Sequence, residues 1–345
     1  MRFSVSYLKY YCERLMTARG VDPDCAAAVA DMLLDAELTG VSTHGVSRLA
    51  IYLERVEKGL VSKHNGVKIT RESPSAVSID AGNSLGAVGA TFAMETCVRK
   101  ARETGCCFAA VKNSNHFGAA AYYTRMAARA GMIGFCCTNL TAKVAPYGAA
   151  EPFMGTDPIS VAVPSEGDAV VLDMTPTVVA LGKLILAQKL GKDIPLGWAL
   201  DKDGRPTTDP AAGRAGSLIP IGGPKGSGLA LMVEILAGIL SGAGTATHLH
   251  DLYEFDAPQG VGHFMGAIDV SHFLDEGAFR AGVSAMAGEI KSLRRAGGVD
   301  EVMLPGERSA RSAAKKAIEG IEVPEAVCAE LSALGRPCGM ELTEG

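Results

Sequence analysis

Between Ala26 and about Lys58 apolar residues recur close to a 3.6-residue period. Val29, Met32, Leu33, Ala36 and Leu38 mark one helical face before Thr39-Gly40 breaks it. A second helix is expected to restart at once, capped by Ser42 or Thr43 and carried by Leu49, Tyr52, Leu53 and Val56 as far as Gly59. Beyond Pro74 the texture changes to short β-branched runs (76–79, 108–111, 159–163, 170–172) alternating with Ala-rich helical segments (90–104, 119–130, 178–190). That alternation predicts an α/β domain. The run 226–241 reads as an apolar, glycine-rich, buried helix, and the tail from Ser309 as a charged helical segment that folds back on the first unit. The expected division is a helical unit over 1–72, joined by 309–345, and an α/β unit over 73–308.

The 345 residues, 48% hydrophobic and 21% charged, supply a sizeable core. A formal net charge of −5 lacks the basic surface that nucleic acid or an anionic membrane requires, so neither is expected as a partner. The most apolar stretch, 229–240, is interrupted by Glu234 and falls short of the roughly 20 residues that span a bilayer. The N-terminal residues show no signal-peptide pattern, which makes the cytoplasm the expected location. Nine cysteines occur as adjacent pairs or singly, never as Cys-x-x-Cys, and read as reduced core residues. Cys136 and Cys137, neighbours in an apolar run, should point to opposite faces of a strand.

Two segments carry chemistry. In the first, Thr43, His44, Arg48 and Tyr52 sit in Ser42-Thr43-His44-Gly45-Val46-Ser47-Arg48 and its continuation, with His44, Arg48 and Tyr52 at four-residue spacing on one expected helical face. A histidine can exchange a proton with a hydroxyl or carbonyl oxygen, and a guanidinium fork binds a carboxylate at two points. Together they suit a 2-oxo acid, although a solvated helix face fits the same spacing. In the second, Asn113 to Gly118, His116 follows a strand and precedes a helix, the position where α/β proteins place ligands. Ser114 or Asn115 is expected to cap that helix and its dipole to favour a neutral imidazole, and a histidine satisfied within the core is the competing reading.

No glycine triplet completes a Rossmann fingerprint, and Gly222 to Gly228 is not a Walker loop. It is nonetheless a loop of small residues around Lys225 leading into a helix, where amides and an ammonium meet a pyrophosphate; a tight turn with a solvated lysine fits equally. His248-Leu249-His250-Asp251 superficially resembles a metal motif but reads as a surface loop, and no metal is expected.

Taken together these segments resemble the malate/L-lactate dehydrogenase family that is distinct from the Rossmann enzymes of the same name. Further markers are Pro146-Tyr147-Gly148, Gly155-Thr156-Asp157-Pro158, Gly182-Lys183, Pro195 to Asp201, Gly262-His263-Phe264 and Leu304-Pro305-Gly306-Glu307. The resemblance implies a three-layer α/β/α domain with a mixed sheet plus a small helical N-terminal domain, usually as a homodimer. It implies NAD(P)-dependent interconversion of a small 2-hydroxy carboxylic acid and its 2-keto acid, with His44 or His116 as acid/base. Thr43, Arg48 and Tyr52 match substrate positions. Asn139 and Leu140, Thr156, Asp173, Met174 and Thr175, Lys183, Lys225, and Pro305, Gly306 and Glu307 match cofactor positions. A cyclic imino-acid reductase, a ureidoglycolate-type dehydrogenase and a non-catalytic nicotinamide-binding protein are the alternatives. Two departures stand out: Asp157 replaces the usual Asn, and Pro176 interrupts the run after Asp173-Met174. The charge of Asp157 is expected to disfavour a nearby phosphate and so to favour NAD over NADP.

Overall fold

The apolar periodicity of the first sixty residues folds as strand β1 (Arg2–Phe3) followed by helices α1 (Val5–Thr17), α2 (Pro23–Leu38) and α3 (Leu49–Glu57), in a computed structural model that describes residues 1–343. Ser4 caps α1 by accepting from Tyr7 N, and Pro23 opens α2 with its preset φ. The second helix does not restart at Ser42 or Thr43. Two short 3-10 turns, Ser42–His44 and Val46–Arg48, intervene, hinged at an extended Gly45. The cause is Glu37, buried near the end of α2, whose Oε1 accepts from Val46 N at 2.9 Å. A Cβ on residue 45 would lie 2.0 Å from that oxygen, so only glycine passes.

The seven-stranded sheet contains β2 (Lys68–Glu72), β3 (Ala76–Asp80), β4 (Cys106–Ser114), β5 (Met132–Thr138), β6 (Ile159–Val163) and β7 (Val170–Met174). Helix α4 (Gly86–Thr104) crosses from β3 to the parallel β4, and α5 (Ala120–Arg129) connects β4 to β5. A smaller unit follows, with α6 (Leu181–Lys189), β8 (Ala199–Leu200), β9 (Pro206–Thr207), α7 (Pro210–Ala215) and β10 (Ser217–Leu218) around Val144, Leu184, Ile194 and Leu218. After α8 (Pro224–Val233), β11 (Val261–Asp269) returns to the centre of the sheet, antiparallel to both β4 and β5. The strand order β2-β3-β4-β11-β5-β6-β7 is mixed, with β3 and β4 the parallel pair, as the resemblance implies.

Helices α4 and α5 cover one face of the sheet through Met94, Cys97, Tyr123 and Ala127. Cys136 packs on that face and Cys137 on the other, both buried, which is the alternation expected of adjacent strand residues. The second face is covered by α8 and its π-helical continuation, Glu234–Leu240. This helix is not buried as a whole, contrary to the sequence pattern. Small residues face the sheet so closely that a Cβ on Gly262 would meet Ala237 O at 1.9 Å, and Leu229, Leu231, Met232, Ile235, Ile239 and Leu240 are left exposed on the other side.

After α9 (Glu276–Ser292), the chain ends in α10 (Glu307–Glu319), β12 (Ile321–Glu322) and α11 (Glu325–Gly335). β12 pairs with β1, and Ile321, Cys328 and Leu331 enter the same core as α1 and α2. Among the described residues no helix is long and apolar enough to cross a membrane.

Candidate active site

The turns that interrupt the second helix rearrange its polar residues. His44, Arg48 and Tyr52 do not share a face of one α-helix, because the first two belong to successive 3-10 turns and only Tyr52 lies in α3. They are brought together around His116 instead. The His44 and His116 rings stack with centroids 5.6 Å apart, and the buried Tyr52 hydroxyl lies 2.7 Å from His116 Nδ1. Thr43 Oγ1 is 3.0 Å from His44 Nδ1, and the Thr43 carbonyl accepts from Arg48 Nε at 2.6 Å. Arg48 Nη1 donates to the hydroxyl of Tyr253, a residue two hundred positions away.

His116 does not occupy the first turn of a helix. α5 starts at Ala120 without a side-chain cap, because Ser114 and Asn115 are engaged elsewhere: Ser114 Oγ with His263 Nε2 at 2.7 Å, and Asn115 Nδ2 with Asn83 Oδ1 and Ser84 O. The loop holds His116 through its backbone N–H, which donates to Gln259 Oε1 at 3.0 Å. Burial, then the neighbouring His44 and the charge of Arg48, push His116 well below the usual imidazole range. Burial and Arg48 likewise push His44 down to about 4. Both rings are therefore neutral at physiological pH, through desolvation and an adjacent cation, not a helix dipole. Among the described residues Nε2 of His116 has no hydrogen-bond partner, and it is free for a ligand.

Of the positions matched to a cofactor, Asp173 and Met174 end β7 and Thr175 follows directly. Met174 pairs with Ile159, and Asp173 Oδ2 accepts from Ala121 N in the first turn of α5, a few residues beyond His116. The Thr175 hydroxyl bonds that of Thr177, and Pro176 O accepts from Ile221 N, which ties this segment to the glycine loop before α8. Gly222 and Gly223 adopt positive φ there, and Lys225 projects, exposed, from the first turn of α8. Pro305 O accepts from Val171 N on the same strand, Gly306 turns at φ 86, and Glu307 pairs with Lys291 and Arg311. Lys183 lies exposed in the first turn of α6. His248 and His250 have separate partners, Thr245 and Asp256, in an exposed segment.

Asn139 is fully buried with its amide spent on the protein: Nδ2 donates to Gly244 O and Glu234 Oε2, and Oδ1 accepts from Gly262 N. Leu140 N donates to Asp157 Oδ1 at 3.3 Å, and Thr156 is half-buried beside it. Asp157 has no exposed surface, sits at φ 43, and its Oδ2 lacks any partner. Burial, reinforced by the nearby Glu234, pushes its carboxyl well above the usual range. Glu234 keeps the better claim to the charge because Asn139 Nδ2, Gly155 N and Ala246 N all donate to it. Asp157 is thus a neutral acid at neutral pH. With its carboxyl buried and pushed towards the neutral form, Asp157 offers less charge to a nearby phosphate than the sequence suggests.

Tyr253, Gln259, Glu37 and Glu234 were not visible as site residues in the sequence. Glu37 and Glu234 alone left a trace, as acids inside apolar helical runs. The Asp157 assignment makes a measurable difference. A carboxyl whose folded pKa is raised stabilises the fold below its unfolded value, near 3.9, and loses that contribution as pH rises towards the folded value. Asp157→Asn, which keeps the shape and tolerates positive φ, should match the parent near pH 4 and exceed it progressively towards pH 8 in urea denaturation. A stability difference that does not change with pH would contradict the neutral assignment.

The Malate/L-lactate dehydrogenase family matches residues 3–332. The chain is 38% identical to a malate dehydrogenase of Pyrococcus horikoshii over 336 residues, 95% of this chain and 93% of the relative. It is 34% identical to the ureidoglycolate dehydrogenase (NAD(+)) of Escherichia coli K12, covering 94% and 93%. Among solved structures, sulfolactate dehydrogenase from Methanocaldococcus jannaschii superposes with a TM-score of 0.93 at 34% identity, covering 99% of this chain and 98% of that one. By sequence along nearly its whole length and by fold, the chain belongs to the malate/L-lactate dehydrogenase family.

Proposed function

We propose that this protein is a nicotinamide-dependent oxidoreductase that interconverts a small 2-hydroxy carboxylic acid and its 2-keto acid, with Arg48 as carboxylate clamp and His116 as proton carrier. The observation that carries this reading is the hydrogen bond between His116 Nδ1 and the hydroxyl of the buried Tyr52, beside the stacked ring of His44 and the guanidinium of Arg48. Relatives named for malate, sulfolactate and ureidoglycolate share a 2-hydroxy carboxylate and differ beyond it.

The proton path runs along one bond. Where His116 Nδ1 accepts from Gly118 N and the Tyr52 hydroxyl, Nε2 carries the hydrogen and donates to a substrate keto oxygen; where Nδ1–H donates to Tyr52 Oη, Nε2 presents a lone pair that takes the proton of a substrate hydroxyl. In the reverse direction the imidazolium returns it to the keto oxygen. Burial is the main reason that the His116 imidazole is neutral, with smaller contributions from His44 and the charge of Arg48, and a bound carboxylate offsets the Arg48 part. His44 lines the same pocket as a second neutral ring.

The residues present suit a nicotinamide dinucleotide. Lys225 and the amides at the start of α8 offer positive potential to a pyrophosphate, Asp173 and Thr175 lie at the adjacent end of β7, and the turn at Pro305-Gly306-Glu307 packs on Val171 near the start of that strand. Lys183 and Thr156 complete the assignment, while Asn139 and Leu140 contribute through backbone, because the Asn139 side chain is already saturated. When bound, such a cofactor supplies or accepts the hydride at the substrate's C2. Turnover of a panel of 2-keto acids with both reduced cofactors tests the reading, and cofactor binding without reduction of any of them would overturn it.

We also assign the exposed apolar side of α8 and Glu234–Leu240 to contact with a second copy of the chain. Six large apolar side chains within twelve residues exceed what a monomer usually leaves in water. Ile239→Glu should convert a dimer to a monomer in light scattering with the circular dichroism spectrum unchanged. A parent protein that is already monomeric at micromolar concentration would rule the contact out.

Three variants test the site. His116→Ala should lower oxidation by about 10²- to 10⁴-fold and abolish the acid limb of kcat/KM, which in the parent falls only below pH 6.5. His44→Ala should cost less than about tenfold, since it carries no proton. Parent-like rates and pH profiles in both variants would remove the histidine mechanism. Arg48→Ala should raise KM for the keto acid by about 10²-fold with the cofactor Kd unchanged, as measured by fluorescence titration; equal weakening of cofactor binding would reassign that residue.

A further inference from the structure

The segment between Leu249 and β11 has no regular secondary structure, yet it is among the most heavily braced parts of the molecule. Arg55, on the buried side of α3, is 1% exposed and makes no ion pair within 4 Å among the described residues. Its guanidinium is spent on this segment's backbone instead: Nη1 donates to the carbonyls of Leu252 and Glu254 and, at 3.5 Å, of Asp251, and Nη2 donates to Ala257 O at 2.9 Å. Asp251 fastens the other side, with Oδ2 3.3 Å from Lys143 Nζ and accepting from Thr141 Oγ1, in the stretch just beyond Asn139-Leu140. Within the loop, Tyr253 N donates to Asp251 Oδ1 and Asp251 N to Glu254 Oε2.

All of this bracing holds one side chain outward. Tyr253 is 61% exposed, an unusual state for a large aromatic residue on so braced a loop, and among the described residues the hydrogen-bond partner of its hydroxyl is Arg48 Nη1. The Arg48 guanidinium lies 6.0 Å from the Tyr253 ring centroid. A guanidinium has no acceptor, so the phenol oxygen must accept here, which leaves the phenol's own hydrogen to be donated elsewhere. Arg48 Nε is already committed to Thr43 O and Nη1 to the phenol oxygen, so the remaining guanidinium hydrogens and the phenol hydrogen are left for a ligand.

We propose that Tyr253 is a substrate-binding residue that completes the carboxylate clamp: its hydroxyl accepts from Arg48 and donates to the same substrate carboxylate that Arg48 binds. Arg55 is the positioning residue that holds the loop so that this occurs. The inference rests on the reading of Arg48 given above and extends it from one residue to a pair. It also assigns a purpose to a buried arginine that makes no ion pair within 4 Å among the described residues.

Tyr253→Phe keeps the ring over Arg48 and removes only the hydroxyl, at a position exposed enough to leave folding intact. Binding of oxamate, an unreactive 2-keto acid mimic, to the cofactor-loaded protein should weaken by about tenfold, in line with the loss of one hydrogen bond to a charged group. KM for the keto acid should rise by a similar factor, with kcat within about threefold and an unaltered pH profile. Arg55→Met should reproduce this effect, and adding Tyr253→Phe to it should change binding by less than about twofold. If Arg48→Ala weakens oxamate while Tyr253→Phe leaves it unchanged or tightens it, the paired clamp is wrong and the Arg48 assignment stands. If Arg48→Ala itself leaves oxamate binding intact, both fall. Independent, additive losses in the double variant would overturn the positioning role of Arg55 even where Tyr253→Phe behaves as expected.

Discussion

A buried arginine that makes no ion pair within 4 Å among the described residues is the contact on which the site's geometry depends. Taking a guanidinium out of water is costly unless its donors are met, and Arg55 meets most of them with carbonyls from a single loop. Carbonyls do not neutralise the charge, but they fix direction, and direction matters here. The interaction ties α3, in the N-terminal helical region, to the chain just ahead of the sheet's central strand. Tyr52 and Arg48 project from one side of that junction, His116 and Tyr253 from the other. A shift of α3 relative to the sheet would break both the Tyr52–His116 bond and the Arg48–Tyr253 bond at once.

How much of this was legible along the chain depends on how local each cause is. Strands β3, β4, β6 and β7 and helices α4 and α5 follow β-branched runs and Ala-rich periodicity, and appear where those patterns place them. The convergence of His44, Arg48, Tyr52 and His116 was anticipated chemically, but through the wrong backbone: four-residue spacing suggested one helix, whereas Glu37 captures Val46 N and forces two 3-10 turns. Glu37 is seven residues before His44 and gives no sign of its target. Tyr253 and Gln259 reach the site from some two hundred and one hundred and forty positions away, respectively, a distance no periodicity spans. The central placement of β11 is equally non-local.

Asp157 shows a different kind of illegibility. As a residue type it promises a negative charge, and the inference to cofactor preference followed from that promise. Its environment cancels it: with Glu234 nearby and better hydrogen-bonded, a second charge in the same dry volume is unfavourable, and the carboxyl keeps its proton. A protonated acid then resembles an amide in shape, which suits a position where the family resemblance implies Asn.

The same electrostatic economy shapes the reacting region. His44, His116 and His263 are all held neutral by burial, with His263 fixed between Thr138 and Ser114 beneath Phe117. Arg48 is the formal charge that bears on both His44 and His116. An anionic substrate is therefore drawn to one point, and its arrival alters the proton affinity of the adjacent imidazole in the direction that oxidation requires. Recognition and proton transfer are coupled in this sense: the carboxylate that identifies the substrate also offsets the part of the repulsion that Arg48 contributes, while burial, the larger cause, remains. Neutral ligands of the same size would fill the pocket without switching it on, so selectivity for acids arises in the chemical step as well as in binding.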